Sequence, residues 1–207
     1  MPDNGRLITL EGIDGAGKSL QTRLLAENLR DLGHLVVTTF EPGGGQQGGL
    51  LRDLLTGDAA SHWSPATEAL LFTAARRHHL DGLVLPAIAE GKIVICDRFA
   101  DSTRVYQGFD SETARHRVDQ LHTLMIGTDP DLTFIIDIPV KLALERVARR
   151  SGGDARLDTF GSRLEDLRQG FLQLQQSFPH RCRVVNGDRE SSEIASDLLA
   201  MSLEVIS

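Results

Sequence analysis

The stretch Gly12-Ile13-Asp14-Gly15-Ala16-Gly17-Lys18-Ser19 matches the phosphate-binding pattern G-x-x-x-x-G-K-[ST]. It follows a short apolar run, residues 7–10, and leads into a helix-like segment, residues 20–32, which is the strand–loop–helix setting that the pattern needs. Backbone N–H groups of the glycine-rich turn and the positive end of the following helix both attract phosphate. Lys18 can reach the β- and γ-phosphates, and the hydroxyl of Ser19 can coordinate Mg²⁺. The sequence therefore predicts a nucleoside triphosphate site, although the pattern alone does not say what is done with the nucleotide.

Composition and charge limit the class of protein. The 207 residues are 41% hydrophobic and 25% charged, which is ordinary for a chain with one globular core. The net charge of −7 argues against a broad nucleic-acid surface. The sequence contains no apolar run that resembles a signal peptide or could span a bilayer, so we expect a cytoplasmic protein with neither a nucleic-acid nor a membrane partner. Cys96 and Cys182 lie at or near apolar strands, and we expect buried free thiols.

Strand-like and helix-like segments alternate along the chain. The predicted strands are residues 7–10, 35–39, 93–96, 132–138 and 183–185. The predicted helices are residues 17–32, 47–56, 65–90, 111–127, 139–151, 162–178 and 190–204. Such alternation predicts a five-stranded parallel sheet with helices on both faces, a three-layer α/β/α fold. Two loop-like stretches, residues 41–49 and 151–160, are candidates for segments near a ligand.

A second candidate site is Cys96-Asp97-Arg98-Phe99, directly after the apolar run 93–95. Residues that follow the carboxyl ends of parallel strands line the ligand crevice. Asp97 there could hold a Mg²⁺-bound water, and Arg98 could bind a phosphate through two hydrogen bonds. The alternative is a surface ion pair between the two neighbours.

Further arginines could contact a ligand. Phe72 and Arg76 are four residues apart, so they share a helix face and could hold a planar base between a ring and a guanidinium. The alternative is a core phenylalanine beside a solvated arginine. Arg149, Arg150 and Arg156 flank a Gly-Gly pair and could belong either to a closing lid or to a solvated loop. The adjacent histidines His78 and His79 do not form a metal-binding pattern.

A series of motifs runs along the chain in a fixed order: Leu10-Glu11 with the phosphate-binding stretch; Glu41-Pro42-Gly43-Gly44; Leu70-Leu71-Phe72 with Arg76 and His79; Asp97-Arg98-Phe99 with Ser102, Tyr106, Gln107 and Gly108; Pro130-Asp131-Leu132-Thr133; Asp137-Ile138-Pro139; and Arg168-Gln169-Gly170-Phe171-Leu172. With these motifs in this order, the chain resembles bacterial thymidylate kinases from about Arg6 to about Leu199. The phosphate-binding pattern is shared by many families. The Asp-Arg-aromatic motif followed by Ser-x-x-x-Tyr-Gln-Gly is much more specific. The resemblance implies one P-loop kinase domain over residues 1–207, with an arginine-bearing lid at about residues 149–161.

The resemblance also implies the reaction, transfer of the γ-phosphoryl group of ATP to dTMP with Mg²⁺, and a homodimeric assembly. Phe72 would stack on thymine, Arg76 would donate to a base oxygen, and Arg98 would clamp the acceptor phosphate. The implied ATP-binding residues are Gly12, Asp14, Gly15, Ala16, Gly17, Lys18, Ser19 and Leu20. The implied substrate-binding residues are Asp14, Glu41, Pro42, Phe72, Arg76, Arg98, Ser102, Thr103, Tyr106 and Gln107. The implied catalytic residues are Lys18, Asp97, Arg98, Arg149 and Arg156, with Ser19 and Asp97 at the metal.

The chain departs from the family pattern at Phe40, where bacterial members usually carry arginine before Glu-Pro-Gly-Gly. Two alternatives therefore stay open beside a dTMP kinase. One is a related kinase for another nucleotide or nucleoside, and the other is a nucleotide-binding module without turnover. The sequence assigns no role to Arg77 or Arg150 and does not say which helices would pair in a dimer.

Overall fold

The computed structural model describes residues 5–45, 48–56, 62–109, 111–150 and 163–206, with only the backbone of Arg150. Its strands are β1 (Arg6–Glu11), β2 (Val36–Phe40), β3 (Ile93–Asp97), β4 (Leu132–Asp137) and β5 (Cys182–Asn186). They form one five-stranded sheet in the order β2-β3-β1-β4-β5, and every neighbouring pair is parallel. The predicted sheet is thus confirmed. Each observed strand lies within two residues of its predicted ends, because each is an apolar or β-branched run.

Helices lie along both faces of this sheet. They are α1 (Lys18–Asp31), α2 (Gly48–Thr56), α3 (Pro65–His79), α4 (Leu85–Ala89), α5 (Ala100–Tyr106), α6 (Glu112–Leu121), α7 (Val140–Arg150), α8 (Leu164–Ser177) and α9 (Ser191–Ile206). Successive strand residues point to opposite faces. Accordingly, Ile8 packs in one apolar cluster with Leu25 of α1, whereas Leu7 packs in another with Val84. The three-layer α/β/α expectation is confirmed.

The boundaries of some helices differ from the predicted ones. The predicted helix 65–90 is interrupted by a π-helical turn, Leu80–Val84, and the predicted helix 111–127 ends in another, His122–Ile126. α5 was not predicted at all. Its first turn is capped by Glu11, a residue distant in sequence, and such a cap leaves no local signal. The predicted loop 41–49 already contains the start of α2 at Gly48, and the predicted loop 151–160 lies outside the described residues.

The cysteine expectation is confirmed, because Cys96 and Cys182 are both free and buried. Within the described ranges, none of the helices combines the length and the apolar composition that crossing a bilayer requires.

Candidate active site

The phosphate-binding turn lies between β1 and α1, at the carboxyl edge of the sheet. Gly12, Gly15 and Gly17 all have positive φ angles, of 135°, 85° and 98°, which glycine adopts without steric cost. A Cβ at Gly15 would lie 2.5 Å from the carbonyl oxygen of Ala143, so the turn also packs closely against α7. Gly12 and Gly15 are therefore fixed by backbone geometry and by packing.

Lys18 is the first residue of α1, and its side chain folds back over the turn. Its Nζ donates to the carbonyl oxygens of Gly12 and Ile13, each at 2.9 Å. Burial, together with the nearby charge of Arg98, lowers the pKa of Lys18 to about 8. A desolvated ammonium at the mouth of a helix N-terminus is suited to an anionic ligand such as a phosphate.

The two residues expected at a metal are in direct contact. Ser19 Oγ donates to Asp97 Oδ2 at 2.5 Å, which joins the start of α1 to the end of β3. Hydroxyl and carboxylate oxygens are ligands that suit Mg²⁺. Across the described residues no cluster of three or more His, Cys, Asp or Glu side chains could hold a metal by itself, so water and phosphate oxygens would complete any Mg²⁺ shell.

Arg98 has an unusual backbone conformation, with a φ of 69°. A non-glycine residue in this region is strained by about 1 kcal/mol or more, and such residues cluster at functional sites. Its N–H donates to the carbonyl oxygen of Leu10 at 3.0 Å, and its carbonyl oxygen accepts from the thiol of Cys96 at 3.0 Å. The backbone N–H and C=O groups of Arg98 are thus both hydrogen-bonded, the first to β1 and the second to β3.

The guanidinium of Arg98 points toward the phosphate-binding turn. It donates to Asp14 Oδ1 at 2.6 Å and to Ser102 Oγ at 3.0 Å, and it lies 5.4 Å from the centre of the Tyr106 ring. Its ion-pair partner is therefore Asp14, across the site, and not its neighbour Asp97. This removes the interpretation of Asp97-Arg98 as a surface ion pair between neighbours.

Glu11 is a buried carboxylate that the sequence analysis did not assign to the site. It accepts hydrogen bonds from the backbone N–H groups of Phe99 (2.7 Å) and Ser102 (3.2 Å) and from the Ser102 hydroxyl (2.6 Å). Burial, together with the nearby charge of Asp101, raises the pKa of Glu11 to about 7. The sequence signal was its place at the end of β1, one residue before the phosphate-binding turn.

Arg76 is buried and bonded on several sides. Only 4% of its surface is exposed, and its Nε donates to Glu41 Oε2 at 2.8 Å. Its Nη2 donates to the carbonyl oxygen of Phe99 at 3.1 Å and to Thr103 Oγ1 at 3.0 Å. The alternative of a solvated arginine is therefore wrong for Arg76. A more solvated arginine is found next to it in the sequence, at Arg77, because that side chain is 29% exposed and pairs with Asp81.

Glu41 has a second buried partner in His79. The Nδ1 atom of His79 lies 3.0 Å from Glu41 Oε1, and its Nε2 lies 2.7 Å from Thr39 Oγ1. The adjacent His78 is exposed. Sequence analysis quoted His79 but gave it no role, because partners 38 and 40 residues away leave no local pattern.

The remaining predicted substrate residues lie around this centre. Phe72 is half-buried on α3, one turn before Arg76. Tyr106 packs edge-on against Phe171 with ring centres 6.0 Å apart, and burial raises its pKa. Gln107 donates from Nε2 to Glu68 Oε2 at 3.2 Å. The carbonyl oxygen of Pro42 accepts from Arg52 at 2.9 Å.

Other predicted residues are not gathered at the centre. Leu20 is 41% exposed on α1. The Arg149 side chain is 80% exposed and its Nη2 is 3.8 Å from Glu145 Oε2. Arg156 and most of the predicted lid lie outside the described residues, as does the side chain of Arg150.

One further cation at the phosphate-binding turn was missed. Arg146 of α7 donates to the carbonyl oxygen of Gly187 at 3.3 Å, and its Nη1 would lie 3.9 Å from a Cβ at Gly17. It places a guanidinium beside the first turn of α1. The sequence contains little sign of this role, because Arg146 lies in the middle of α7, well after the end of β4 at Asp137.

Comparison with known proteins gives consistent results. The sequence model of the thymidylate kinase family matches residues 10–198. A thymidylate kinase of Dinoroseobacter shibae is 54% identical over 201 residues, which is 97% of each chain. A thymidylate kinase of Ruegeria pomeroyi is 48% identical over 98% of this chain and 97% of its own. The crystal structure of thymidylate kinase from Ehrlichia chaffeensis superposes with a TM-score of 0.75 at 34% identity, covering 97% of this chain and 99% of that one.

Proposed function

The chain belongs to the thymidylate kinase family, and we infer that its site transfers the γ-phosphoryl group of ATP to dTMP, giving dTDP and ADP. The observation that carries this conclusion is the Arg98–Asp14 contact at 2.6 Å. It joins the phosphate-binding turn to the pocket that contains Arg76. A donor phosphate on the turn and an acceptor phosphate on Arg98 would thus be neighbours, as phosphoryl transfer requires.

The donor half of the site would bind ATP through the turn and α1. Backbone N–H groups from Gly12 to Ser19 would surround the phosphates, with Asp14, Ala16 and Leu20 at the edges of the ATP site. Lys18 would exchange its carbonyl partners for phosphate oxygens. Ser19 and Asp97 would hold Mg²⁺, directly or through water, and the ion would neutralise charge on the β- and γ-phosphates.

The acceptor half would bind dTMP between α3 and α5. Phe72 would stack on thymine, and Arg76 would donate to a base oxygen from Nη1, which makes no hydrogen bond within the described ranges. Thr103 and Gln107 would border the base, Tyr106 would border the sugar, and Glu41 and Pro42 would lie beside Arg76. Ser102 would orient Arg98, whose guanidinium would bind the acceptor phosphate while Asp14 faces the sugar.

This arrangement needs no strong general base. The phosphate of dTMP is already anionic at neutral pH, so the protein's task is to align the reactants and to neutralise charge on the transferred group. Lys18 and Arg98 supply positive charge from the described site. Arg149 and Arg156 would add charge from the lid and exclude water when it closes.

We further propose a cytoplasmic homodimer built from one domain per chain. Leu70 on α3 and Leu124 and Met125 in the turn after α6 expose 56%, 78% and 51% of their surfaces, and α3 packs against that turn. A second copy of the chain would cover this apolar face.

An acceptor survey tests the proposed function. ADP release would be measured with ATP and Mg²⁺ and, separately, dTMP, dUMP, dCMP, dGMP, thymidine or no acceptor. We expect turnover with dTMP well above all the others. A preference for another acceptor would contradict the assignment of the pocket to dTMP. ATP binding without turnover on any acceptor would contradict the assignment of kinase activity.

A further inference from the structure

We propose that His79 is a positioning residue for the base pocket, which holds the Glu41 carboxylate, and through it Arg76, by donating from Nδ1 while Nε2 accepts from Thr39. The inference rests on the proposed function, because it takes the Arg76 pocket as the dTMP site. His79 itself would touch neither substrate.

The four side chains form one continuous buried chain of hydrogen bonds. Thr39 Oγ1 is 2.7 Å from His79 Nε2, His79 Nδ1 is 3.0 Å from Glu41 Oε1, and Glu41 Oε2 is 2.8 Å from Arg76 Nε. The exposed fractions of these residues are small, at 7% for Thr39, 2% for His79, 7% for Glu41 and 4% for Arg76. Because water cannot reach these atoms freely, each depends on its protein partner, and the loss of one partner is costly.

The partners determine the direction of each hydrogen bond. The ionised Glu41 carboxylate, which is opposite a guanidinium, can only accept, so the His79 nitrogen that faces it must carry the proton. In a neutral imidazole the other nitrogen is then an acceptor, and the Thr39 hydroxyl is the donor available to it. We therefore place a proton of His79 on Nδ1, where it faces Glu41.

The turn that follows β2 is built against this chain of bonds. A Cβ at Gly44 would lie 2.4 Å from Thr39 Oγ1 and 2.7 Å from His79 Nε2, so only glycine lets the backbone cover the Thr39–His79 bond. The same turn carries Glu41 and Pro42 at the pocket. The position of the turn and the orientation of the Glu41 carboxylate are thus linked through His79.

This geometry predicts which steps depend on His79. Without the Nδ1 donor, the Glu41 carboxylate can rotate, and the guanidinium of Arg76, bonded to it, moves with it. The donors of Arg76 would then be misplaced for the base, which weakens dTMP binding. The phosphate-binding turn belongs to β1 and α1 and shares no hydrogen bond with His79 in the described ranges, so ATP binding should not change.

Two substitutions at His79 separate its two nitrogens. The amide nitrogen of Asn can occupy the place of Nδ1, and that of Gln the place of Nε2. We expect His79→Gln to raise the KM for dTMP about tenfold and His79→Asn to raise it less than about threefold, since only Asn keeps the donor to Glu41. In both, kcat and the KM for ATP should stay within about twofold of wild type. The matched control is His78→Gln, an exposed position on the same helix, with no expected change.

A KM for dTMP that is unchanged in His79→Gln would overturn the inference. So would an equal rise in both variants, or a loss of kcat and of folded protein at constant KM, which indicates only a structural role. If wild type itself does not phosphorylate dTMP, the proposed function fails instead.

A spectroscopic measurement tests the hydrogen-bond directions on the wild-type protein. The chain contains 7 histidines, and ring-¹⁵N labelling with Thr39→Val as the assigning variant would identify the His79 signals. We expect a protonated Nδ1 and an unprotonated Nε2. The opposite tautomer would overturn the inference even if the His79 variants do not fold.

Discussion

The proposed donor half and the proposed acceptor half of this site are built by different means. The donor half uses the backbone of consecutive residues, with Gly12, Gly15 and Gly17 in conformations that other residues rarely adopt. The acceptor half uses side chains from three separate segments. Glu41 follows β2, Arg76 lies on α3 and Thr103 on α5, and the bonds between them span 35 and 27 residues.

The difference shows where each half is vulnerable. The donor half is fixed by backbone conformation, so removing one of its side chains should impair chemistry more than folding. The acceptor half is held by the buried ion pair of Arg76 and Glu41, so removing one partner leaves an uncompensated charge and should affect folding and binding together. Arg98 and Asp14 connect the two halves.

The largest expected effect comes from Lys18 in the donor half. Lys18→Ala should lower kcat by about 10³-fold, because a preorganised positive charge at the transferred group is lost. Its midpoint of thermal unfolding should change little. Steady-state kinetics and calorimetry check this, with the exposed Lys141→Ala as control. A loss of activity that merely followed loss of folded protein would remove the distinction between the halves.

Next in size is a stability difference between adjacent arginines. Arg76→Ala should cost about 3 kcal/mol of unfolding free energy, because it leaves the Glu41 carboxylate buried without its guanidinium. Arg77→Ala breaks a more exposed pair with Asp81 and two hydrogen bonds to the carbonyl oxygens of Met125 and Ile126, and it should cost only about 1 kcal/mol. Urea titrations of both variants measure the difference. Equal costs would show that the acceptor pocket does not depend on its buried ion pair.

A smaller effect concerns Glu11, which has a raised pKa. The pKa of Glu11 is about 7 in the folded chain, against the ordinary value of 4.5 that applies in the unfolded chain. Between these pH values the folded chain therefore binds more protons than the unfolded chain. The free energy of unfolding should therefore fall, relative to that of Glu11→Gln, as the pH rises from 4.5 to about 7. Urea titrations of both proteins across this range give the difference. A constant difference would contradict a carboxyl that titrates in this window.

The smallest effect comes from the backbone of Arg98. Arg98→Gly should be more stable than Arg98→Ala by about 1 kcal/mol, because glycine adopts a positive φ without strain. Both variants should lose the acceptor-phosphate contact equally. The control is Arg117, an exposed residue within α6, where glycine should instead be less stable than alanine by about 1 kcal/mol. The same order at both positions would show that Arg98 is not strained.

The sequence predicted the sheet and the position of the glycine-rich turn well, because both are recorded in consecutive residues. The apolar runs marked all five strands, and the eight-residue phosphate-binding pattern marked the turn. It predicted much less of the acceptor half without the family resemblance. His79 acts through a bond to a residue 38 positions away, and α5 depends on a cap from Glu11, 88 positions before Phe99, so local patterns contain no sign of either. The sign of Glu11 itself is its place directly before the phosphate-binding turn. The π-helical turns after α3 and α6 also lack a local signal.

The most direct test of the division between donor and acceptor halves is a binding comparison of two variants with two ligands. Calorimetry would measure the Kd of a non-hydrolysable ATP analogue with Mg²⁺ and, separately, the Kd of dTMP. The two variants are Lys18→Ala and Arg76→Lys, and the second keeps a positive charge opposite Glu41. We expect Lys18→Ala to weaken binding of the analogue about tenfold or more and to leave the Kd for dTMP within about twofold of wild type. Arg76→Lys should weaken dTMP binding about tenfold or more and leave binding of the analogue within about twofold. Equal weakening of both ligands in either variant, or unchanged dTMP binding in Arg76→Lys, would contradict the account.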